Sequence, residues 1–237
     1  MQEKNLKKTS LKGRGNGGKT PLKKPSDIKM PKDKSEKYDA YKKKSNSQMK
    51  RVNLKAGALL SPLPAVMVTL GDMEKSNIIT IGWCGILSTN PPRAYISVRP
   101  SRHSYKILCE KKEFVINLTT ENLAKATDYA GIYTGAKVDK FEKLGLTRVE
   151  SSEVLAPSIA ESPLSIECRV FDIIESGTHH IFMADIVSVS CREDIIKDGK
   201  ISLDKAGLLA YAHGEYFALG KKVGKFGFSA TKSKKRK

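Results

Sequence analysis

Short segments rich in β-branched residues, separated by turn residues, make up most of the chain between residues 65 and 189. This spacing is typical of antiparallel strands joined by hairpins in a barrel or a sandwich. The predicted strands are residues 65–70, 77–84, 94–98, 113–118, 164–174 and 180–189. In the fifth strand apolar and polar residues alternate, which predicts that one set of side chains faces a core. That set is Leu164, Ile166, Cys168 and Val170.

The helical signals are few and short. Helices are predicted for residues 104–109, 121–130 and 139–144, and Gly145 ends the last of them as a C′ residue. Because strands outnumber helices, the chain is predicted to be mainly β with some α, an α+β fold. Both G-x-G-x-x-G and G-x-x-x-x-G-K-[ST] occur only within residues 13–20, where no predicted strand precedes them, and this argues against a doubly wound nucleotide-binding sheet.

The net charge of +18 is carried by the two ends of the chain. Residues 1–51 contain 17 Lys and Arg against 5 Asp and Glu, and residues 221–237 contain 8 basic residues and no acidic ones. The first segment also lacks Phe and Trp, so it cannot bury enough apolar surface to offset its ordering entropy. We therefore predict a disordered basic extension at 1–51, one folded domain at 52–220 and a basic tail at 221–237.

Several common classes of protein are disfavoured by the same sequence. The N-terminal segment lacks the apolar stretch of a signal peptide, and we expect a cytoplasmic protein. The four cysteines are widely spaced with no C-x-x-C pair, which indicates neither a zinc site nor a disulfide framework. No apolar run approaches the roughly 20 residues that a membrane-spanning helix needs.

A cluster of cations and hydroxyls lies in the turn before the first predicted helix. It consists of Arg99, Ser101, Arg102, His103 and Ser104. Cations, hydroxyls and the free N–H groups at a helix N-terminus together favour a bound phosphate. The alternative is a basic loop that is simply solvated.

The predicted strand at residues 77–84 offers contacts for a planar ring. Asn77 can donate and accept hydrogen bonds, and Trp83 lies six residues later. If both belong to one strand, their side chains point to the same face. A lone Trp is otherwise more often a core residue.

Five motifs occur in a characteristic order along the chain. They are N-I-I-T-x-x-W at 77–83, P-P at 91–92, S-V-R-P-x-R-x-S at 97–104, D-K-F at 139–141 and G-x-H at 177–179. Together they resemble the flavin-reductase-like family, particularly its flavoredoxin branch, over about residues 54–227. The resemblance implies an FMN-binding split β-barrel of Greek-key type with a few short helices, working as a homodimer.

The resemblance also implies a redox function. FMN would be bound noncovalently and reduced by NADH or NADPH, in an NAD(P)H-dependent flavin reductase or a flavoredoxin-like electron-transfer protein. Electrons would pass to a redox partner protein or to a small-molecule acceptor. The alternative within this class is a pure FMN electron carrier without NAD(P)H activity.

Site residues follow from the same resemblance. Lys140 and His179 are the expected catalytic residues: Lys140 near N1 of the flavin or its phosphate, and His179 beside the ring. Either Tyr216 or Phe217 matches an aromatic that covers the ring. The expected cofactor-binding residues are Asn77, Thr80, Trp83, Cys84, Arg99, Ser101, Arg102, Ser104, Lys140, His179 and Phe217.

Two readings from other classes stay open. The basic ends could bind nucleic acid or an anionic membrane surface, although Tyr38 and Tyr41 are the only aromatic residues of the N-terminal segment. A cysteine nucleophile is the other reading, with Cys84 inside the predicted site and His179 near it. A strand cysteine beside an aromatic residue is more often simply packed.

Overall fold

The computed structural model describes residues 51–230. By its contacts the chain divides into two units, residues 1–57 and 58–237, and the fold described below belongs to the second. Nearly all of the predicted N-terminal extension, and residues 231–237 of the predicted tail, lie outside the described residues. The boundaries predicted at 51/52 and 220/221 stay predictions. Within residues 51–230, no helix combines the length and the apolar character needed to cross a membrane.

Strands dominate the described part of the chain. They are β1 (Leu63–Pro64), β2 (Val66–Gly71), β3 (Ser76–Ile81), β4 (Cys84–Thr89), β5 (Pro92–Val98), β6 (Glu113–Asn117), β7 (Arg148–Val149), β8 (Ser158–Ile159), β9 (Leu164–Ser176), β10 (His179–Cys191), β11 (Ile196–Lys197), β12 (Lys200–Ile201), β13 (Leu209–Ala212) and β14 (Glu215–Ala218). The α-helices are α1 (His103–Lys111), α2 (Ala124–Ile132) and α3 (Lys140–Leu144). Short 3₁₀ turns cover Glu121–Leu123, Glu193–Ile195, Leu203–Lys205 and Phe228–Ala230.

Seven strands form one antiparallel sheet in the order β3-β2-β6-β9-β10-β5-β4. Its edge strands, β3 and β4, are joined by only two residues, Gly82 and Trp83. Two edges can be connected by so short a corner only if the sheet curls until they meet. The sheet therefore wraps around an interior, and the short strands β1, β13 and β14 form a separate three-stranded sheet.

Apolar side chains fill both faces of the sheet at β2 and β3. The interior is lined by fourteen buried residues from β2, β3, β5, β6, β9, β10 and α1, with Phe114 and Phe182 among the largest. A second cluster, which includes Met67, Ile78 and Phe141, packs the outer face against α2 and α3. All six residues of β2 are buried for this reason.

The predicted strands are found, with one correction. Residues 77–84 are not one strand: β3 ends at Ile81, the chain turns at Gly82 and Trp83, and β4 begins at Cys84. The inference that Asn77 and Trp83 share a strand face was therefore wrong. β4 was also missed, because Ile86 and Leu87 are followed by the turn-forming Ser-Thr-Asn-Pro-Pro sequence and half of this strand is exposed.

In β9 the predicted apolar residues do face the interior, but the polar residues on the opposite face are not all exposed to solvent. Leu164 and Cys168 are buried, and Ile166 and Val170 pack partly buried against the interior. Glu167 on the opposite face is only 1% exposed instead of facing solvent. Its carboxylate accepts hydrogen bonds from the N–H groups of Ser152 (3.1 Å) and Glu153 (2.7 Å), which fasten the loop between β7 and β8 over this face.

The three predicted helices are present. α1 extends the first prediction by a residue at the start and two at the end, and a 3₁₀ turn precedes α2 where one helix was predicted. In α3 the Asp139 side chain accepts hydrogen bonds from the N–H groups of Phe141 and Glu142, as an N-cap residue should. Gly145 ends the helix with a φ of 62°, a conformation that glycine adopts at little cost.

Candidate functional site

Two cavities adjoin beside β3 and share Arg102 and Ile79 in their walls. The large cavity has a volume of about 510 Å³ and lies among β3, the corner at Gly82 and Trp83, the end of β5, α2 and the β13–β14 sheet. The small cavity has a volume of about 120 Å³ and lies between β3, the start of α1 and the α2–α3 loop. The first lies within the size range of small-molecule and cofactor sites.

The turn between β5 and α1 brings the predicted phosphate-binding residues to these cavities. It is closed by a hydrogen bond from the Arg102 N–H to the Arg99 carbonyl oxygen, 3.0 Å, with Pro100 in the position that such turns favour. Arg102 is the N-cap residue of α1 but gives no side-chain hydrogen bond to the first turn. The first N–H groups of α1 therefore keep their capacity to bind an anion.

Polar side chains line the small cavity. Ser104 is 2% exposed, and its Oγ accepts a hydrogen bond of 2.9 Å from Nδ2 of Asn77. Gly135 in the α2–α3 loop closes over this pair: a Cβ there would overlap Oδ1 of Asn77. Ser101 and His103 complete the side contributed by the turn before α1. The loop can approach Asn77 so closely only because residue 135 has no side chain.

Lys140 provides a cation in the wall of the small cavity. It is 3% exposed, and its Nζ donates hydrogen bonds to the carbonyl oxygens of Ile78 (2.6 Å) and Ala130 (2.7 Å). These carbonyls lie on the edge strand β3 and in the last turn of α2, where ladder and helix bonding leave acceptors available. Burial, and then the nearby charge of Arg102, lower the pKa of Lys140 to about 8. A bound dianion would restore the preference for the charged form.

The mouth of the large cavity is formed by aromatic and cationic side chains. The rings of Trp83 and His179 lie against each other with centroids 4.6 Å apart and planes at 42°. Trp83 is 41% exposed, and Arg99 and Ile132 beside it are also exposed. This surface can take the face of a planar ligand.

Hydrogen bonds fix the protonation of His179. Its Nε2 accepts from Nε of Arg99 at 3.3 Å, and its Nδ1 lies 2.9 Å from Oγ1 of Thr178. An Nε2 that accepts requires the neutral ring, with its proton on Nδ1 and directed to Thr178. Burial and the charges of Arg99 and Arg102 lower the pKa of His179 in agreement with this state. His180 faces the other way and hydrogen-bonds the Tyr105 hydroxyl at 2.8 Å.

The far wall of the large cavity pairs a carboxylate with two tyrosines. The Tyr216 hydroxyl donates to Oδ1 of Asp128 at 3.3 Å, and its ring lies 5.3 Å from that of Tyr211. Burial, followed by the charge of Asp128, raises the pKa of Tyr216 to about 12, which keeps the hydroxyl protonated. On the β3 side, Thr80 donates its hydroxyl to the carbonyl of Thr127 at 2.5 Å and so joins β3 to α2.

Nine of the eleven predicted site residues lie at the two cavities. Those at the small cavity alone are Asn77, Ser101, Ser104 and Lys140, those at the large cavity alone are Thr80, Trp83, Arg99 and His179, and Arg102 lies at both. The residues of the predicted phosphate-binding turn therefore do not all line one cavity. The side chain of Arg99 hydrogen-bonds His179, whereas that of Arg102 donates to the carbonyl oxygen of Gly131 at 3.2 Å.

The other two predicted residues lie elsewhere. Cys84 is paired with Ile96 and packs against the interior, and burial raises the pKa of its thiol to about 11. A thiol with so high a pKa is a poor nucleophile, which disfavours the hypothesis that Cys84 acts as a nucleophile. Phe217 is 48% exposed and does not line the large cavity, whereas Tyr216 does, because alternate residues of β14 face opposite sides.

Several lining residues were not predicted from the sequence. They are Ser97, Val98, Asp128, Gly131, Ile132 and Tyr211 at the large cavity, and Tyr133 and Thr134 at the small one. Asp128, Gly131 and Ile132 come from α2, whose helical pattern gave no sign of a ligand. Ser97 and Val98 immediately precede the basic turn and are the two that its position could have suggested.

Comparisons with known proteins agree on one relationship. The family model described as flavin reductase like domain matches residues 59–220. An uncharacterized protein of Archaeoglobus fulgidus is 36% identical over 158 residues, which cover 67% of this chain and 88% of that protein.

Two solved structures are also similar. The flavoredoxin of Desulfovibrio vulgaris (Miyazaki F) has a TM-score of 0.72 and 32% identity, and that of Methanosarcina acetivorans has 0.70 and 25%. Each match covers 77% of this chain and 100% of the other. The predicted mainly β fold of the split-barrel type is confirmed.

Proposed function

The chain belongs to the flavin reductase-like family, in its flavoredoxin branch, and from this premise we propose that it binds one FMN noncovalently and acts as a flavin-dependent oxidoreductase. The observation that carries the proposal is the meeting of two unlike cavities at Arg102. One is open and lined with aromatic residues, and the other is small, polar and cationic. A ligand with a planar ring at one end and a phosphate at the other matches both.

The donors of the small cavity suit a phosphate. Lys140 and Arg102 supply positive charge, and Ser101 and Ser104 supply hydroxyls next to the uncapped start of α1. The phosphate of FMN carries nearly two negative charges near neutral pH and has strong acceptor oxygens. Gly135 keeps the wall close by leaving the position that a Cβ would fill against Asn77. We therefore assign the phosphate to the small cavity.

The large cavity suits the isoalloxazine ring. Its apolar wall includes Ile79, Ile81 and Val98, and Trp83 offers an aromatic face. FMN, when bound, would supply the electron-transfer chemistry, and the protein would supply binding, orientation and electrostatics. Tyr216 donates its hydroxyl proton to Asp128, so its hydroxyl oxygen can accept a hydrogen bond from a ligand in the cavity. The neutral His179 borders the open side of the cavity.

The reductant that we propose is NADH or NADPH, entering over the exposed side of the ring at Trp83 and His179. Residues 52–220 contain no dinucleotide-binding fingerprint of the G-x-G-x-x-G type, which agrees with loose binding over the flavin rather than in a domain of its own. Electrons would then pass to a partner protein or to a small-molecule acceptor.

A binding experiment tests the FMN assignment. The purified protein is examined for an absorbance band at about 450 nm, and titrations compare FMN with riboflavin, which lacks the phosphate. We expect tighter binding of FMN in the natural chain, and a loss of most of that preference in Arg102→Gln. The matched control is Arg192→Gln, whose side chain pairs with Asp194 on the surface and lines neither cavity. A colourless protein that refuses added FMN contradicts the proposal.

A second experiment tests the reductant. The FMN-loaded protein is mixed with NADH or NADPH without oxygen, and the band at about 450 nm is followed. Bleaching by either nucleotide supports direct reduction. An unbleached band that dithionite nevertheless removes would identify a pure electron carrier.

We also propose that the protein works as a homodimer. Apolar side chains stand exposed on the sheet, among them Ile86 (62%), Phe171 (44%) and Ile174 (44%). Exposed apolar patches of this kind commonly mark association surfaces. Sedimentation equilibrium of the loaded protein should give twice the chain mass, and a monomer at micromolar concentration would refute the proposal.

A further inference from the structure

Arg99 is separated from the residues that suit the phosphate of FMN. It lies at the mouth of the large cavity and does not line the small one, where Arg102 and Lys140 provide the positive charge. The turn that carries both arginines directs their side chains apart, one to His179 and one to Gly131. A single phosphate in the small cavity therefore leaves Arg99 without an anionic partner.

The guanidinium of Arg99 is held ready for a ligand. Its Nε donates to His179, which is anchored in turn by Thr178 and packed against Trp83. Among the bonds of residues 51–230, none is described for its two terminal amino groups. Those groups form a planar fork that matches the two oxygens of a carboxylate or phosphate.

The charges that line the large cavity also favour an anionic ligand at Arg99. Arg99 and Arg102 are its cations, His179 is neutral, and its one described carboxylate, that of Asp128, already accepts from Tyr216. With Arg102 engaged by the FMN phosphate, the positive charge that remains lies at the mouth, beside the exposed face of Trp83. A planar ligand with an anionic group would meet both.

We propose that Arg99, oriented by His179 beside Trp83, binds the carboxylate or phosphate of a second planar ligand that shares the large cavity with FMN. This inference rests on the proposed FMN site and adds to it the chemical class of the electron donor or acceptor. His179 acts here as a positioning residue, through the hydrogen bond that its Nε2 accepts from Arg99.

The test uses two redox-inert probes of the same shape and different charge, benzoate and benzamide. Each is titrated into the oxidised FMN-loaded protein, and binding is followed by the perturbation of the visible flavin band. We expect benzoate to bind about tenfold or more tightly than benzamide, as one charge-assisted hydrogen-bonded pair allows. Arg99→Gln should bring the ratio close to one, whereas Arg99→Lys should keep part of the preference. Arg192→Gln, the surface control, should behave as the natural chain.

Fluorescence separates failure of this inference from failure of the FMN site. Trp83 is the only tryptophan of the chain, so quenching of its emission reports on the mouth even in a protein that binds no flavin. If the protein refuses FMN but still shows a benzoate preference by fluorescence, the anion site at Arg99 is supported and only the FMN assignment fails. Equal binding of both probes in the natural chain, or a preference that survives in Arg99→Gln, overturns the inference. So does a loss of FMN affinity in Arg99→Gln that riboflavin does not share, since Arg99 would then hold the phosphate.

Discussion

Lys140 is the residue whose protonation most directly affects the small cavity. Its Nζ is buried between two carbonyl oxygens, with a pKa of about 8 in the free protein. A phosphate bound nearby favours the charged form and raises that pKa, so binding and protonation are linked. Above the free-protein pKa, each bound FMN must take up a proton at Lys140. Affinity should therefore fall as the pH rises through about 8.

This linkage makes the affinity for FMN depend on pH. In the natural chain the dissociation constant of FMN should rise by up to about tenfold per pH unit above about pH 8. Lys140→Gln should bind FMN about tenfold or more weakly at about pH 7, from the loss of a charged partner, and should show no such rise. Fluorescence titrations from about pH 7 to about pH 9 measure both. The control is Lys143→Gln, an exposed lysine of the same helix. A rise that persists in Lys140→Gln would assign the linkage to another group.

The directions of individual side chains at the site could not be predicted from the sequence. Arg99 and Arg102 lie in one turn and were grouped as one phosphate site, yet their side chains diverge. Cys84 and Ile96 face each other across β4 and β5, a pairing that no local pattern reveals. Motifs name the segment that contributes to a site, whereas the direction of each side chain depends on partners distant in sequence.

Among the larger elements, the loop between α2 and α3 closes the small cavity through Gly135. A Cβ at this position would overlap Oδ1 and Cγ of Asn77. Gly135→Ala should push the Asn77 amide away and break its hydrogen bond to Ser104, weakening FMN binding by about tenfold or more. In Gly220→Ala, where a Cβ meets nothing within 4 Å, affinity should be unchanged.

A double variant checks the cause of the Gly135 effect. If the alanine acts through Asn77, then Gly135→Ala should have little further effect in an Asn77→Ala background, because the clashing amide is already gone. FMN titration and thermal unfolding of the four proteins complete the cycle. Additive losses would mean that the loop is disturbed in some other way.

Most elements of the fold could be predicted because the longer strands carry their own signals. β-branched runs identified β2, β5, β6, β9 and β10, and Gly145 correctly predicted the end of α3. The corner at Gly82 and Trp83 was not predicted, since the apolar run continues through it into Cys84. β13 and β14 were also missed: they are four residues each and pair with each other rather than with the main sheet.

At the scale of the whole molecule, the charge lies outside the part that forms the cavities. The residues that line them fall between Leu63 and Tyr216, whereas the basic excess belongs to residues 1–51 and 221–237. We expect a chain trimmed to residues 52–220 to bind FMN within about twofold of the full chain, because it keeps every described residue that lines the two cavities.

The same trimming tests the nucleic-acid and membrane readings. Any retardation of RNA by the full chain should fall steeply between about 50 mM and about 200 mM salt, as expected for contacts to phosphates, and should vanish in the trimmed chain. Vesicles of anionic lipid should behave likewise. Undiminished RNA binding by residues 52–220 would instead place a nucleic-acid site on the folded body.

The corner at Gly82 and Trp83 connects the fold to the ligand in one further way. It joins the two edges of the wrapped sheet, and the Trp83 carbonyl accepts a hydrogen bond of 2.9 Å from the N–H of Ser97 on β5. A ring that packs on Trp83 would therefore lie over the place where the edge strands β3 and β4 meet. If the barrel opened where β3 meets β4, the surface that supports the ring would be lost. Release of the flavin and the first opening of the barrel would then occur together, and bound flavin would hold the barrel closed.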